Sequence, residues 1–468
     1  NASVATISSA GLVTAVADGT ATITATSGSV SATATATVSQ VAAIVELSPD
    51  SLAFQSLGDT TTLIATVRDA GGTVISGADV TWATSSAFIA TVSSVGLVTA
   101  VADGTTTITA TSGSANGTAT VTVNQTAASV ALSPTSVSFT SIGDTATLVA
   151  TVRDAAGNII SNPTMAWTTS DASVVAVSSA GLVTAAGNGT ATITATSGSA
   201  SGTATVTVSQ VAQSVTLAPT SLSFTSAGDT ATLVATVRDS GGNIISGATV
   251  TWVTSSSSVA TVSAAGLVTA VADGTATITA TSGSASGTAT VTVNQTAASI
   301  TLSPTSLSFT SIGDGATLVA TVRDAGGNII SGATVTWTTS DASVATVSAA
   351  GLVTAVGNGT ATITATSGSV SATATATVNQ TAASVTLSPT SVTFNSIGAA
   401  ATLVATVRDA GGNIISGATV TWATSSSSVA TVSSAGLVTA VADGTATITA
   451  TSGSASGAAT VTVQTTSY

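Results

Sequence analysis

The side chains that could carry chemistry in this chain are few. Its 468 residues include five Arg, eighteen Asp or Glu and five Trp, but no His, no Cys and no Lys. A Ser or Thr nucleophile needs a base such as His or Lys, and most catalytic or metal-binding sites draw on His or Cys. We therefore predict no catalytic, cofactor-binding or metal-binding residue, no small-molecule substrate and no enzyme activity.

Trp and Arg are the most distinctive of the remaining candidates, and both recur every 85 residues. A Trp can stack on a sugar ring, but a Trp on the apolar side of a strand more often belongs to a hydrophobic core. We expect a core position for Trp82, Trp167, Trp252, Trp337 and Trp422. An Asp directly follows each Arg, and we expect a local or interdomain ion pair at Arg68, Arg153, Arg238, Arg323 and Arg408.

Three weaker signals remain. The carboxylates are scattered and lack the spacing of a calcium-binding loop. Repeated Thr-x-Thr runs could order water or ice, but Thr is also a favourable residue on an ordinary exposed β face. Six Asn-x-Thr sequons, which the strand pattern predicts to be exposed, begin at Asn116, Asn124, Asn188, Asn294, Asn358 and Asn379.

Charge and hydropathy restrict the partners. The net charge of −13 and the pI of about 4.1 oppose binding to nucleic acid or to an anionic lipid surface, which needs clustered Lys and Arg. Mean hydropathy is +0.61, yet Thr or Ser interrupts every apolar stretch before the roughly 20 residues that a spanning helix needs. We therefore predict no nucleic-acid partner and no membrane insertion.

An internal repeat organises the whole chain. The string GLVTA begins at Gly11, and it recurs at intervals of 85 residues up to Gly436, without insertion or deletion. Such a period is long enough for each repeat to hold its own core. We predict a C-terminal half-domain at 1–41, followed by complete domains at 42–126, 127–211, 212–296, 297–381 and 382–468.

Within a repeat, apolar residues alternate with Thr. The run from Thr230 to Arg238 places Leu233, Ala235 and Val237 on one face, and the runs around Trp252, Ile278 and Val291 alternate in the same way. This period of two predicts about seven short strands per repeat and hence an all-β sandwich. The pairs Asp273-Gly274, Asn188-Gly189 and Asn358-Gly359 predict two-residue type I′ hairpins.

Several of these segments together resemble the bacterial immunoglobulin-like domain, group 2, of invasin- and intimin-like tandem repeats. They are SVTLAPTSLSF from Ser214, GDTATL from Gly228, VTW ending at Trp252, SVATVSAAGLVTAV from Ser258 and GTATITA from Gly274. The resemblance implies a tandem array of seven-stranded immunoglobulin-like (Ig-like) sandwiches and a role in surface display or spacing.

We predict an extracellular or cell-surface protein that is a structural subunit of a filament, with copies of itself as partners. Its sheet edges carry almost none of the charges that usually prevent edge-to-edge association. The alternatives are the rigid stalk of an adhesin with its binding tip elsewhere and, third, a phage tail module. Residues 1–41 would be completed either by a longer array or by strand complementation from another subunit. The ending QTTSY suggests that the last domain is complete.

Overall fold

The computed structural model describes residues 1–465, in which all regular secondary structure is β-strand. The end of the predicted domain 382–468, with the last residues of QTTSY, lies outside this range. The described residues contain no helix of the length and apolar character that crossing a membrane requires.

The strands repeat with the sequence. Residues 1–41 contain β1 (Ala5–Ile7), β2 (Val13–Ala15), β3 (Gly19–Ser27) and β4 (Val30–Val38). Repeat 42–126 contains β5 (Ile44–Ser48), β6 (Ser51–Phe54), β7 (Thr60–Thr62), β8 (Ile64–Arg68), β9 (Thr81–Thr84), β10 (Ala90–Val92), β11 (Leu97–Ala100), β12 (Gly104–Ser112) and β13 (Ala115–Val123). The strands β14–β22, β23–β31, β32–β40 and β41–β49 follow at the same places, each set shifted by a further 85 residues.

Repeat 42–126 illustrates the sandwich. One sheet has the order β6-β13-β12-β9, in which β6 runs parallel to β13 and the other pairs are antiparallel. The other layer consists of β10-β11-β7 and the pair β5-β8. Because β5 and β6 are two halves of one strand around Pro49, and β7 and β8 two halves of another, nine segments make seven strands. The predicted seven-stranded Ig-like sandwich is therefore confirmed.

One predicted strand is interrupted. The sequence predicted a single strand from Thr230 to Arg238, but the structure divides it at Leu233. The Leu233 amide donates to the carbonyl of Gly266 at 2.9 Å, outside the regular ladder, and its side chain is almost fully buried. In repeat 42–126 the same interruption, at Leu63, lets β7 pair with β11 while β8 pairs with β5.

The alternating residues fill the space between the two layers. Leu63, Val98, Ile108 and Val121 are at most 1% exposed, and the half-buried Trp82 packs against them. Burying an aliphatic side chain of this size contributes about 1.5–3 kcal/mol. Since disulfides are impossible without Cys, this packing is the main source of each repeat's stability.

The type I′ hairpin prediction is wrong. Asp273-Gly274 lies where the chain crosses from one sheet to the other, and Gly274 already begins β30 (Gly274–Ser282). Its φ is 143°, and a Cβ at this position would lie 2.8 Å from a Val259 methyl group, so the Gly is explained without a tight turn. The two-residue hairpin lies further along, between the paired residues Ser282 and Ala285. Asn188-Gly189 and Asn358-Gly359 occupy equivalent crossings.

The chain divides into two compact units. The first comprises residues 1–214 with 237–246, and it contains the half-repeat and the repeats 42–126 and 127–211. The second comprises residues 215–236 and the chain from 247 onwards, and it contains the repeats 297–381 and 382–465. Each of these four repeats has the two-layer sandwich described above. The predicted domain boundaries between repeats stay predictions.

The half-repeat at 1–41 has only a small core, formed by Val4, Ala5 and Ala21. Val13 is 43% exposed, whereas Val98 at the equivalent position of a complete repeat is 0% exposed. The apolar face that complete repeats bury is therefore uncovered in these residues.

We predict different costs for two Gly→Ala substitutions in repeat 42–126. Gly96 (φ 81°) and Gly113 (φ 60°) both have a conformation that costs an L-residue about 1–2 kcal/mol. A Cβ on Gly96 would also overlap the Leu63 carbonyl and lie 2.8 Å from the Trp82 ring, whereas a Cβ on Gly113 would meet open space. Gly96→Ala should therefore lower the free energy of unfolding of this repeat by about 3 kcal/mol or more, and Gly113→Ala by only about 1–2 kcal/mol. Equal losses in denaturant unfolding would contradict the crowding at Gly96.

Candidate functional site

The most specific polar arrangement in this chain lies where one repeat meets the next. We call this the joint, and define it in its first complete copy by Leu57, Gln125, Asp154 and Asn158. Leu57 belongs to one repeat, Asp154 and Asn158 belong to the next, and Gln125 lies on the short segment between them. Asp154 is only 3% exposed.

One carboxylate oxygen of Asp154 accepts hydrogen bonds from two donors that lie outside its own repeat. The Leu57 amide donates to Oδ2 at 3.0 Å, and Gln125 Nε2 donates to the same atom at 2.9 Å. The other oxygen, Oδ1, accepts the Asn158 amide at 2.8 Å. Asn158 Nδ2 returns to the Leu57 carbonyl at 2.9 Å, so both main-chain groups of Leu57 are held by the following repeat.

The local sequence explains how these groups are presented. Asp154 follows the last residue of the strand Val149–Arg153, and the loop that it opens closes with the Asp154 amide on the Asn158 carbonyl at 3.0 Å. The small residues Ala155, Ala156 and Gly157 allow this tight loop, in which Gly157 has a φ of 89°. The main-chain amide of Gln125 donates separately to Asp103 Oδ1 at 2.7 Å, which holds the linker in place.

The same joint recurs in both compact units. In the first unit, Asp239 accepts from the Ile142 amide at 3.1 Å and from Gln210 at 2.8 Å. In the second unit, Asp324 accepts from Ala227 and Gln295, and Asp409 accepts from Ile312 and Gln380. The half-repeat has a reduced version, in which Gln40 Nε2 donates to Asp69 at 2.9 Å and Thr73 stands in place of Asn158.

The joint strongly favours the ionised carboxylate. Burial of Asp154 raises its pKa, but hydrogen bonds from Gln125, Asn158 and Leu57 outweigh burial and lower the pKa to about 2. The pKa values of Asp239, Asp324 and Asp409 are lowered from the ordinary value by the same balance. The arrangement fixes one repeat to the next through a charge that neutral donors stabilise.

The Arg–Asp candidates need correction. Asp154 does act across the interdomain boundary, but its partners are amides and not an Arg. Arg153 instead donates to the Gly157 carbonyl at 2.8 Å. Among residues 1–465 the one ion pair is that of Arg68 with Glu46, at 3.1 Å.

The remaining candidates are the Trp residues, the sequon Asn residues and possible metal ligands. All five Trp side chains are half-buried beside the core, as expected. All six sequon Asn residues are exposed, as the strand pattern predicts, and Asn188 and Asn358 also donate to the side chains of Gln210 and Gln380 at 3.0 and 3.2 Å. The described residues contain no cluster of three potential metal ligands.

Sequence reasoning missed the Gln, the Asn and the main-chain amide of the joint. The recurrence of one Gln at every linker and of Asn four residues after most of the Asp residues was the available signal. It did not identify the partner, because an amide 97 residues earlier in the chain has no side-chain signature.

The family comparison covers nearly the entire chain. Residues 1–38, 42–123, 126–208, 211–293, 296–378 and 381–463 each match the profile of the bacterial Ig-like domain (group 2). No curated protein matches the chain.

Solved structures with some similarity include surface proteins. Invasin, a bacterial integrin-binding protein, is 18% identical with a TM-score of 0.32, over 72% of this chain and 79% of invasin. Domains 1–6 of the surface layer protein SbsC are 22% identical with a TM-score of 0.22, over 86% of this chain. The Escherichia coli adhesin FdeC is 18% identical with a TM-score of 0.24, over 53% of this chain and 96% of that one. The chain spans 63% of the SbsC chain, less than two thirds of its length.

We predict that Asp154→Asn loosens the joint between repeats 42–126 and 127–211. An amide in place of the carboxylate turns one acceptor into a donor that faces other donors, and an unpaired buried group costs about 1–3 kcal/mol. Hydrogen exchange at the Leu57 amide should therefore accelerate about tenfold. Asp171→Asn is the matched control, because Asp171 is exposed and bonds only within its own loop. Unchanged protection of Leu57 would refute the joint.

We also predict that the joint survives moderate acid. A carboxyl whose pKa is lowered on folding stabilises the protein above its unfolded pKa of about 3.9, and this stabilisation is lost as the pH falls through the folded value. The Asp154 joint should therefore hold at pH 4 and weaken only near pH 2. Carboxyl-carbon NMR titration of Asp154 gives the midpoint directly, and a midpoint near the ordinary value would contradict the geometry.

Proposed function

Because the chain belongs to the bacterial Ig-like domain (group 2) family, we propose that it is a structural subunit of an extracellular filament at a bacterial surface. The observation that carries this proposal is the repeated joint, in which four successive repeats each bind both main-chain groups of a residue in the preceding repeat. Repeats joined in this way are held to their neighbours, which a filament requires and a catalyst does not.

The absence of charge on one sheet of the repeat favours self-association over a stalk that acts alone. In repeat 42–126 the four strands β6, β9, β12 and β13 carry no charged residue. Charged side chains are a common protection against association between sheets, and here the outward positions hold Thr, Ser, Ala and one Asn. Copies of the same chain are the partners that such surfaces fit.

The half-repeat offers a second contact between subunits. Residues 1–41 leave Val13 and Val30 exposed, and the strands of a first half-repeat would cover them. We propose that a second copy supplies these strands by complementation. Upstream residues of the same polypeptide are the alternative source.

A rigid stalk of an adhesin is the second candidate function, and the joint is equally suited to it. Invasin and FdeC, two of the proteins with some similarity to this chain, are named as an integrin-binding protein and an adhesin. In that case the binding tip would be a separate domain. We propose no catalytic role in either case, since the chain has no His, Cys or Lys.

Electron microscopy of the purified chain without added partners tests the filament. We expect ordered fibres whose axial period corresponds to whole repeats, and we expect deletion of residues 1–41 to shorten or abolish them. Isolated particles at every concentration would exclude the filament and favour the stalk. Fibres that are unchanged by the deletion would exclude strand complementation but would leave the filament proposal standing.

A further inference from the structure

One sheet surface in the repeats is neither core nor joint. In repeat 127–211 it is formed by the paired strands Ser129–Ser133 and Val149–Arg153. Alternation turns Val130, Leu132 and Val152 inward. We call the opposite surface the Arg face, and its residues are Ser129, Ala131, Ser133, Val149, Thr151 and Arg153, with Ile159 bridged to Arg153.

The Arg face combines one cation with exposed aliphatic side chains. Val149 is 60% exposed and Ile159 is 57% exposed, although both are large enough to belong in a core. The equivalent Val and Ile residues of the last two repeats are 54–59% exposed, at Val319, Ile329, Val404 and Ile414. Aliphatic groups exposed at the same place in successive repeats indicate a contact surface.

The Arg in most of these faces has unused donors. Arg153, Arg323 and Arg408 each place Nη1 2.8 Å from the carbonyl of a loop Gly. Within residues 1–465 their Nε atoms have no hydrogen-bond acceptor. No carboxylate lies among the residues of these three faces.

Repeat 42–126 shows what such an Arg binds when a carboxylate is within reach. There Glu46 lies on the same face, and Arg68 Nε donates to Glu46 Oε2 at 3.1 Å. At the position of Glu46 the other repeats carry Ala131, Thr216, Thr301 and Thr386. The face of repeat 42–126 thus supplies its own carboxylate. The faces of the other repeats have no carboxylate at the equivalent position, and we call them open Arg faces.

We propose that the open Arg faces bind carboxylates of a second copy of this chain; this inference rests on the proposed filament and names its lateral contact. A guanidinium presents paired donors that match a carboxylate, and flanking aliphatic groups exclude water from the contact. A second copy is the partner that fits, because it carries exposed carboxylates such as Asp171 and Asp341, which lie 170 residues, or two repeats, apart. Its net charge of −13 also leaves it with many more carboxylates than cations.

Sedimentation velocity on the full chain, at low and at high salt, tests the proposal. The variant R153Q/R238Q/R323Q/R408Q, in which Arg238 is included because it has the same sequence position, should self-associate roughly tenfold more weakly than wild type. High salt should weaken wild-type association in the same direction, since exposed ion pairs are screened. R68Q should associate like wild type, because Arg68 already has Glu46.

A charge-matched control separates the Arg face from general repulsion. The variant S199E/S284E/S369E/S454E makes the net charge more negative by four, as the Gln variant does, at exposed hairpin turns that belong neither to the Arg faces nor to the uncharged sheet. We expect it to associate more strongly than the Gln variant. Equal weakening by both variants, or undiminished association of the Gln variant, would overturn the proposal.

Two further outcomes distinguish this inference from the filament itself. Fibres formed undiminished by the Gln variant would leave the filament standing and remove the Arg face from it. If wild type stays monomeric but binds polygalacturonate through these Arg residues, the partner is an acidic polysaccharide, and the second-copy proposal is wrong. Loss of fibres and of self-association in the Gln variant alone would support both proposals.

Discussion

A buried carboxylate that is bonded to amides and not to a cation is the constraint on which the array depends. Asp154 is almost fully buried, and its charge is tolerable only while hydrogen-bond donors surround it. Its own loop supplies the Asn158 amide, and the remaining donors come from the linker and from the preceding repeat. A repeat that separated from its neighbour would leave this carboxylate short of partners, so the joint couples the folding of one repeat to the position of the next.

Neutral donors give the joint properties that an ion pair would lack. An exposed pair of charges is weakened by salt and contributes little, whereas a buried carboxylate bound to amides is screened much less. The main-chain amides of Leu57 and Asn158 and the side-chain amide of Gln125 do not lose a proton in the ordinary pH range. Only the carboxylate titrates, and its pKa of about 2 keeps it charged in moderate acid. Neighbouring repeats are therefore attached by a carboxylate and amides, which a chain without Lys and Cys can supply.

Much of the fold could be predicted from the sequence because alternation directly encodes which side of a strand is buried. Leu233 and Val237 face inward as the period of two predicts. The interruption at Leu233 was not predictable, because its side chain keeps the pattern while its amide leaves the ladder for Gly266. Asp273-Gly274 was misread because a positive φ serves a sheet crossing as well as a turn. The joint stayed hidden because half of it is main chain.

That same use of the main chain has a consequence for how such arrays can change over generations. The residue whose amide binds the next repeat's Asp is Leu57, Ile142, Ala227 or Ile312, so its side chain is not part of the recognition. Any repeat that retains the backbone path can therefore precede any repeat that retains the Asp loop. Recombination between the near-identical coding segments would add or remove whole modules while leaving every new boundary functional, and the number of modules becomes a heritable quantity that selection can adjust without redesigning a single contact.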